Sequence, residues 1–316
     1  MRRFPHLEEG WIVPRIIYAT ANIVAALVAL YVPSPTIAQD TFQAEAGLSY
    51  SRYKDDTVRQ SSLSAEATYF FDKLPSRPRD YPIEQAQFVE RIGSFSANYG
   101  RTSLEIDNTQ SLSNGSMYGA SVDFRQPNMP FILSAGYESF YSGKSGSLSG
   151  ILESEGNTKA YQLSIGAYVD KTTALSLDWS RSKTRTKFTS GGAFLSDFDD
   201  TFTSVGVSGK HLVQLSGGDH LAFDASVSRT THEPGGEKNR DFFIQTTYYP
   251  IKTLGLNLGV VFDRGDNLFT EGETYLAGAR MFVTPTFSLS LDFLHNHGKT
   301  SGNDYDVVTL KALARF

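Results

Sequence analysis

Two histidines near the carboxy terminus are the first residues whose spacing could support metal chemistry. His295 and His297 are two residues apart, so an extended strand places both side chains on one face. Asp304 or Asp306, on the next predicted strand, could add a carboxylate ligand, because zinc sites combine His nitrogen with carboxylate oxygen. Imidazoles in an interfacial belt or a solvated loop are the commoner reason for such a pair. We therefore predict no metal site.

The chain carries none of the motifs that mark common catalytic sites. It has no Gly-x-Ser-x-Gly elbow, no phosphate-binding P-loop and no His-Glu-x-x-His helix, and its 316 residues include no cysteine. Three acidic clusters lack the spacing of a calcium-binding loop: Asp55-Asp56, Asp197 with Asp199-Asp200, and Asp263 with Asp266. We predict no enzyme, no catalytic residue and no cofactor. An enzyme whose Ser, His and Asp come from separate strands is the third alternative for function.

The last strand shows the pattern that the rest of the chain repeats. Residues 305–316 alternate, with Val308, Leu310, Ala312, Ala314 and Phe316 on one face and Thr309, Lys311 and Arg315 on the other. A strand that is apolar on one face and polar on the other is typical of a wall between lipid and water. An aromatic carboxy terminus resembles the assembly signal of bacterial outer-membrane β-barrels. Phe316 is therefore the predicted assembly signal, recognised by the barrel-assembly machinery.

The same alternation recurs in segments from Asp40 to Phe316. It predicts an all-β fold, a transmembrane antiparallel β-barrel of fourteen strands, with twelve or sixteen as alternatives. Connections after the even-numbered strands are mostly short, whereas those after odd strands include long polar loops at 101–115, 142–158 and 186–200. Short turns at one end and long loops at the other indicate that both termini lie in the periplasm.

Residues 1–38 are predicted to be a cleaved signal peptide. Arg2, Arg3 and Arg15 precede an apolar run at 16–32, and Thr36 and Ala38 are small residues that suit cleavage after Ala38. An uncleaved helical anchor is the alternative. Residues 39–316 then form a single outer-membrane barrel domain. The net charge of −5 gives no basic excess of the kind that nucleic-acid binding requires.

Charged residues on the polar faces are predicted to point into the lumen, because a Lys or Arg facing lipid at mid-height costs ~2–4 kcal/mol. The predicted pore-lining residues are Glu66, Asp123, Asp178, Lys210, Asp224, Arg280, Asp292, Lys311 and Arg315, and Glu45 and Glu138 are also placed inside. Counting from the turns puts Arg280, Asp292 and Lys311 at similar height. We therefore predict a ladder with Asp292 between two cations, which either tunes permeation or only stiffens the wall.

One connection on the short-turn side, residues 72–91, breaks the pattern. Its three prolines exclude a regular strand, and residues 83–89 predict a short amphipathic helix in a periplasmic insert. Tyr69-Phe70-Phe71, this linker and residues 82–91 (PIEQAQFVER), together with the Ala-rich first strand and Tyr50-Ser51-Arg52-Tyr53, resemble the putative general bacterial porin family. Where family members show Glu-Ala-Ala-Phe, this chain has residues 84–88 (EQAQF), which departs from the pattern.

The strand pattern and the resemblance together imply an outer-membrane porin that passes small hydrophilic solutes by passive diffusion across the Gram-negative outer membrane. Fourteen strands give a bore between that of filled eight-stranded barrels and that of open 16–18-stranded porins. The predicted partners are outer-membrane lipid and lipopolysaccharide, the assembly machinery and the solutes, with a monomer and a homo-oligomer both open. The alternative is a non-conducting barrel that acts through its extracellular loops as an adhesin or an envelope anchor.

Overall fold

The described chain folds into one closed antiparallel β-barrel, which confirms the predicted fold and strand number. The computed structural model describes residues 40–55, 58–106, 111–146, 153–190, 193–265, 271–298 and 304–316, so the predicted signal peptide lies outside it. Neighbouring strands are consecutive in sequence, and β1 closes the barrel against β14. The strands are β1 (Thr41–Lys54), β2 (Val58–Pro75), β3 (Ser94–Ile106), β4 (Ser111–Arg125), β5 (Phe131–Gly146), β6 (Glu153–Tyr168), β7 (Thr173–Ser190), β8 (Ala193–Gln214), β9 (His220–Glu233), β10 (Lys238–Ile251), β11 (Leu254–Gly265), β12 (Gly272–Thr284), β13 (Phe287–Gly298) and β14 (Tyr305–Arg315).

The outer surface of the barrel is apolar, because alternate residues of each strand point outward. Leu258 is 69% exposed, Ile165 61% and Leu177 59%, although aliphatic side chains of this size are normally buried. Their strand neighbours Ser164 and Ser176 line a cavity on the inside. A continuous exposed apolar belt is unfavourable in water and favourable in hydrocarbon, so the outer face contacts lipid.

The chain between β2 and β3, residues 76–93, forms the insert. It contains a 3₁₀ turn (Ile83–Gln85) and a short helix, α1 (Ala86–Glu90), that ends where Arg91 adopts a left-handed conformation with φ 55°. No helix of the described chain has the length and apolar character needed to cross a bilayer. The exclusion of strand from residues 72–91 was wrong at its start, because β2 continues to Pro75, whose missing N–H is tolerated at a strand end.

The predicted long loops at 101–115, 142–158 and 186–200 are largely strand. In these regions β3 ends at Ile106 before β4 begins at Ser111, and β7 ends at Ser190 before β8 begins at Ala193. The 22 residues of β8 exceed the ~9–11 that cross a bilayer. The hairpins therefore rise above the membrane, where both faces meet water and the alternation that marks a strand disappears.

Backbone hydrogen bonds at Phe316 complete the seam between β1 and β14. The Phe316 carbonyl accepts from the N–H groups of Gln43 (2.7 Å) and Ala44 (3.1 Å), and the Phe316 N–H donates to the Ala44 carbonyl (2.8 Å). The ring itself is 48% exposed on the outer surface. The last residue therefore contributes to closure mainly through its backbone.

Deleting Phe316 is expected to destabilise the folded barrel more than Phe316→Ala. The deletion removes these backbone bonds, at about 1 kcal/mol each, whereas Phe316→Ala keeps them. The measurement is the temperature at which detergent-refolded protein loses its heat-modifiable gel mobility, since refolding bypasses the assembly machinery. Equal unfolding temperatures for the two variants would contradict this account of the seam.

Candidate functional site

The barrel encloses a cavity lined by small polar side chains. A volume of about 470 Å³ lies against the inner faces of β4 to β9, where Ser121, Ser134, Ser180 and Ser226 contribute hydroxyl groups. A second cavity of about 460 Å³ shares Asp178 with the first and continues toward the turn end of the barrel. Small residues on the inner face leave this space open because their side chains do not reach the barrel axis.

The insert lies inside the turn end of the barrel and forms the floor of the second cavity. Glu84, Gln85, Gln87 and Phe88 line that cavity from below. The turn end carries the short connections and both ends of the barrel chain, which assigns it to the periplasmic side. The insert therefore covers the periplasmic opening from within, a placement that the sequence did not predict.

An apolar cluster anchors the insert to one side of the barrel. Phe88 of α1 packs against inward-facing residues that come from six successive strands: Ile132, Tyr168, Ala174, Leu212, Ala222 and Tyr249. The Phe88 and Tyr168 rings are 5.4 Å apart, and the Lys210 ammonium lies 5.2 Å from the Phe88 ring centre. Phe88 thus fixes the helix against β5 to β10.

A second apolar cluster anchors the insert to the opposite side, near the seam. Ala86 and Ile92 pack with Phe42 of β1 and with Phe70 and Leu74 of β2. Strict alternation along β1 predicts that Phe42 shares the lipid face with Ala44 and Ala46, but Phe42 is buried inside the barrel. A register shift between Phe42 and Ala44 turns the Phe42 ring inward, where it meets the Phe70 ring edge-on at 5.6 Å.

Glu84 is the polar centre of the insert. One carboxylate oxygen accepts from Arg280 of β12 at 2.8 Å, and the other accepts from the Tyr249 hydroxyl of β10 at 3.2 Å. Gln85 donates to the same Tyr249 hydroxyl at 2.6 Å. The Glu84 and Arg280 side chains keep 26% and 29% of their surface exposed, so this pair remains accessible to water.

Further hydrogen bonds tie the insert backbone to the barrel. The Ile83 N–H donates to the Lys252 carbonyl in the β10–β11 turn (3.1 Å), and the Tyr168 hydroxyl donates to the Phe88 carbonyl (2.9 Å). The Arg91 guanidinium lies 4.3 Å from the Tyr168 ring centre and donates to the Asp170 carbonyl at 2.8 Å. These contacts reach different strands, so the insert is held around the rim rather than at one point.

Titratable groups at the turn end keep their ordinary protonation. Burial, reinforced by a hydrogen bond to Glu90, raises the pKa of Tyr81 in the insert, so this phenol stays protonated. Hydrogen bonds from the Thr172 N–H and the Thr173 hydroxyl lower the pKa of Asp170, so this turn carboxylate stays ionised. The Tyr81 phenol therefore remains a hydrogen-bond donor to Glu90 through the neutral pH range.

The cations on the inner wall of the described strands are all paired with acids. The pairs are Arg125 with Asp123 (2.9 Å and 2.5 Å), Lys210 with Asp224 (3.6 Å), Arg280 with Glu84 (2.8 Å), Arg315 with Glu45 (2.7 Å), and Lys311 with Glu66. Arg315 is also buried between the rings of Phe42 and Phe282, at 4.4 Å from each ring centre. Sequence analysis did not identify Arg125 or Glu84 as lumenal residues. It also did not predict which charges pair, because strand alternation indicates the face of a side chain but not the register between strands.

The predicted ladder of Arg280, Asp292 and Lys311 was wrong. Ser290 of β13 is the cross-strand partner of both Arg280 and Lys311. Asp292 lies one inward position further from the turn, between Gly278 and Thr309. The count from the turn failed because the ladder is irregular between Phe282 and Thr284.

Five inward acids of the described strands have no cationic partner: Glu138, Asp178, Asp241, Asp263 and Asp292. Asp178 accepts a hydrogen bond from Ser208 at 2.6 Å, and Asp241 accepts one from Ser228 at 3.0 Å. Glu138 lines a further cavity, and Asp241 and Asp263 are direct cross-strand partners. Because the inward cations are neutralised, these acids give the lumen a net negative charge.

The histidine pair and the acids of the β7–β8 hairpin contact other protein side chains near the loop end. His295 contacts Asp306 at 2.8 Å and His297 contacts Asp304 at 3.2 Å, as two separate pairs. Asp197 and Asp199 face cations of β7, and Asp200 contacts His232 at 2.9 Å. Within the described ranges no group of three metal-binding side chains comes together. Asp56 and Asp266 lie outside the described residues.

Comparisons with known proteins identify the type of barrel. A family model described as "Putative general bacterial porin" matches residues 19–316. The outer membrane protein Omp33 of Acinetobacter baumannii aligns with a TM-score of 0.57 at 14% identity, covering 88% of this chain and 99% of that one. The toluene transporter TbuX of Ralstonia pickettii aligns with a TM-score of 0.50 at 10% identity, covering 88% and 90%. These two likenesses concern the fold alone. No curated protein matches the sequence.

Phe88→Ala is expected to release the insert while the barrel stays folded. Removing a buried Phe costs about 3–5 kcal/mol of packing, and here the loss falls on the contact between α1 and the wall. Trypsin cleavage after Arg91 in the refolded barrel should accelerate, because docking of the insert holds Arg91 against Tyr168 and the Asp170 carbonyl of the barrel. Phe95→Ala is the matched control, since Phe95 is 48% exposed on the lipid face. Equal cleavage rates in both variants would contradict this role for Phe88.

Proposed function

Because the chain belongs to the family described as putative general bacterial porin, we propose that it is a gated, cation-preferring porin for small hydrophilic solutes. It is an outer-membrane channel protein by family. The finer proposal concerns what passes and what controls passage. Selection is electrostatic and no covalent bond changes, as in other pores that discriminate by charged side chains.

The net negative lumen carries the preference for cations. Asp178 and Asp292 face the interior without a cation, while each inward cation of the described strands is neutralised at close range. A fixed negative charge in a channel with low-dielectric walls concentrates cations and repels anions. Solutes that are neutral or positively charged are therefore favoured over anions of the same size.

The polarity of the wall supports hydrophilic rather than apolar solutes. The first cavity, of about 470 Å³, is lined by hydroxyl groups from several strands and by the carboxylates of Asp123 and Asp178. A hydrophilic solute can exchange hydrogen bonds with water for hydrogen bonds with these groups, whereas an aromatic hydrocarbon would leave them unsatisfied. The toluene transport of TbuX thus gives no guide to the solute of this chain.

We infer that the insert is the gate. It covers the periplasmic opening, and a continuous path requires Phe88 and Glu84 to leave their sites on the wall. The water-accessible Glu84–Arg280 pair and single backbone hydrogen bonds are contacts that water can replace. Opening exposes the apolar side chains under Phe88, so the closed state is favoured at rest.

The insert is also the observation that favours the alternative, a non-conducting barrel. If it never leaves the wall, the extended hairpins above the membrane are the remaining functional surface. Conductance of the purified full chain in a lipid bilayer separates the two, because a non-conducting barrel gives no channel events in any state of the insert.

Neutralising unpaired inward acids is expected to reduce cation preference. Asp292→Asn and Asp178→Asn should each lower the cation/anion permeability ratio about fivefold at low salt, since a unit charge ~8 Å away in water changes the energies of a cation and of an anion by about 0.5 kcal/mol in opposite directions. The ratio is measured from the reversal potential across a bilayer in a KCl gradient. Asp199→Asn is the control, because it removes an equal charge outside the lumen. An unchanged ratio in the two inward variants, or an equal change in the control, would exclude the electrostatic role.

Tethering the insert is expected to close the channel reversibly. The Ile83 N–H and the Lys252 carbonyl are 3.1 Å apart, which brings the two residues close enough for an engineered disulfide, and the chain has no native cysteine. Under an applied voltage that opens the wild-type channel, the Ile83→Cys/Lys252→Cys protein should conduct after reduction and stop conducting after oxidation. Each single cysteine variant is a control that should ignore the redox change. Equal conductance in the oxidised and reduced double variant would mean that the insert is not the gate.

A further inference from the structure

A row of three arginines crosses the outer surface of the barrel near its loop end. Arg240 of β10 is the direct cross-strand partner of Arg229 of β9 and of Arg264 of β11. All three side chains are exposed, on the face that carries the lipid-contacting residues of these strands. These three residues are called the arginine row below.

The arginine row lies at the upper edge of the apolar band. The next outward positions toward the turn end are occupied by Val227, Phe242 and Phe262, of which Val227 is 43% and Phe242 41% exposed. The stretch from Ile251 to Arg240 crosses roughly 28 Å of the membrane at a strand tilt of ~40°, compared with an apolar band of about 25 Å. The guanidinium groups therefore lie at the level of the outer-leaflet headgroups.

The arginine row has no acidic partner in the part of the chain that is described. None of its members makes an ion pair or a side-chain hydrogen bond there. Glu273 lies diagonally opposite Arg264, but its carboxylate accepts from the Tyr275 hydroxyl. Glu271, one position beyond the Asp263–Gly272 pair, lies next to Arg264 in the register but makes no ion pair with it. Glu233 shares the face of Arg229 at ~13 Å along the strand. Like charges in direct cross-strand positions are destabilising, so the row is not explained by folding alone.

Three outward cations near the top of the β7–β8 hairpin lie beside acids of β8, whereas Arg181, lower on the same face of β7, has no ion pair in the described chain. Lys183 contacts Asp199 at 2.7 Å, and Arg185 pairs with Asp197. Lys187 is the cross-strand partner of Asp197. This hairpin continues above the bilayer, where the chain supplies its own acids to neutralise exposed cations. The arginine row, at the upper edge of the apolar band, makes no such ion pair among the described residues.

We propose that the arginine row binds the phosphate groups of a lipopolysaccharide molecule in the outer leaflet. Guanidinium groups recognise phosphate through paired hydrogen bonds, and neighbouring strands ≈ 4.7–4.9 Å apart allow two adjacent arginines to contact one phosphate. Phe242 and Val227, directly below, contact the acyl chains. Lys238, two positions above Arg240 on the same face, extends the positive surface toward the sugars. The site lies outside the lumen and does not depend on the proposed channel function.

The test uses the full chain, refolded into detergent free of lipopolysaccharide, with bisphosphorylated lipid A as the probe. Binding is measured by native mass spectrometry and by the rise in unfolding temperature on adding lipid A. The test variant is Arg229→Gln/Arg240→Gln/Arg264→Gln, with Arg240→Gln alone as a milder version. The matched control is Lys183→Gln/Arg185→Gln/Lys187→Gln, which removes the same number of outward cations from the hairpin. Heat-modifiable gel mobility confirms that each variant is folded.

The triple variant of the row is expected to bind lipid A about tenfold or more weakly, because it loses the charge-assisted hydrogen bonds between guanidinium and phosphate. The hairpin control should bind as the wild type does, and lipid A stripped of its phosphates should bind both proteins weakly. The proposal would be overturned if the triple variant bound lipid A as tightly as the wild type, or if the hairpin control lost as much affinity as the triple variant. It would also be overturned if the wild type bound phosphate-free lipid A as tightly as bisphosphorylated lipid A. Inorganic phosphate that binds as tightly as lipid A would equally rule out a lipid site.

Discussion

The structure depends on one constraint: a sheet inside a bilayer cannot leave an unpaired edge, since lipid offers no hydrogen bonds to free N–H and C=O groups. Closure of β1 against β14 satisfies it, and the Phe316 backbone makes the last bonds of that seam. Closure of fourteen strands also fixes a bore that the side chains of the inner wall do not fill. The lumen must therefore hold either water or another part of the chain, and in this barrel the insert occupies the turn end while a cavity remains above it.

The inner wall is divided according to what it faces. At the turn end Phe42, Leu74, Tyr168 and Tyr249 are buried, because the insert covers them. Higher in the barrel the wall is serine and carboxylate, which suits water. Apolar side chains facing an open lumen would be solvated at a cost of about 25 cal/mol per Å², so the wall and the insert stabilise each other. A docked insert is thus the low-energy arrangement, and an open path is a state to which the protein must be driven.

Strand alternation predicted the features that depend on lipid outside and water inside the barrel. It failed where the insert, rather than water, contacts the inner wall. Lipid outside and water inside gave the strand number and most outward faces. The position of the insert inside the barrel could not be derived from sequence. The apolar residues Ile83 and Phe88 are compatible with any short amphipathic helix and do not indicate what that helix packs against. Its sequence signal was the presence of apolar residues at inward positions beside the turns, such as Ile132 and Leu212. Strand alternation also could not predict the register between strands. The irregularity before Thr284 places Ser290, and not Asp292, opposite Arg280.

Charges without protein partners separate into two classes by face. In the described strands the inner wall retains acids such as Asp178 and Asp292, while the arginine row retains cations on the outer wall. Other charges of the described strands are paired at close range, such as Arg315 with Glu45 and Lys183 with Asp199. An unpaired charge costs little only where a mobile counter-charge is available. Water and solute cations supply it in the lumen, and anionic headgroups supply it at the outer leaflet. Both proposals thus follow from one rule, that the barrel leaves a charge unpaired where its environment can complete the pair.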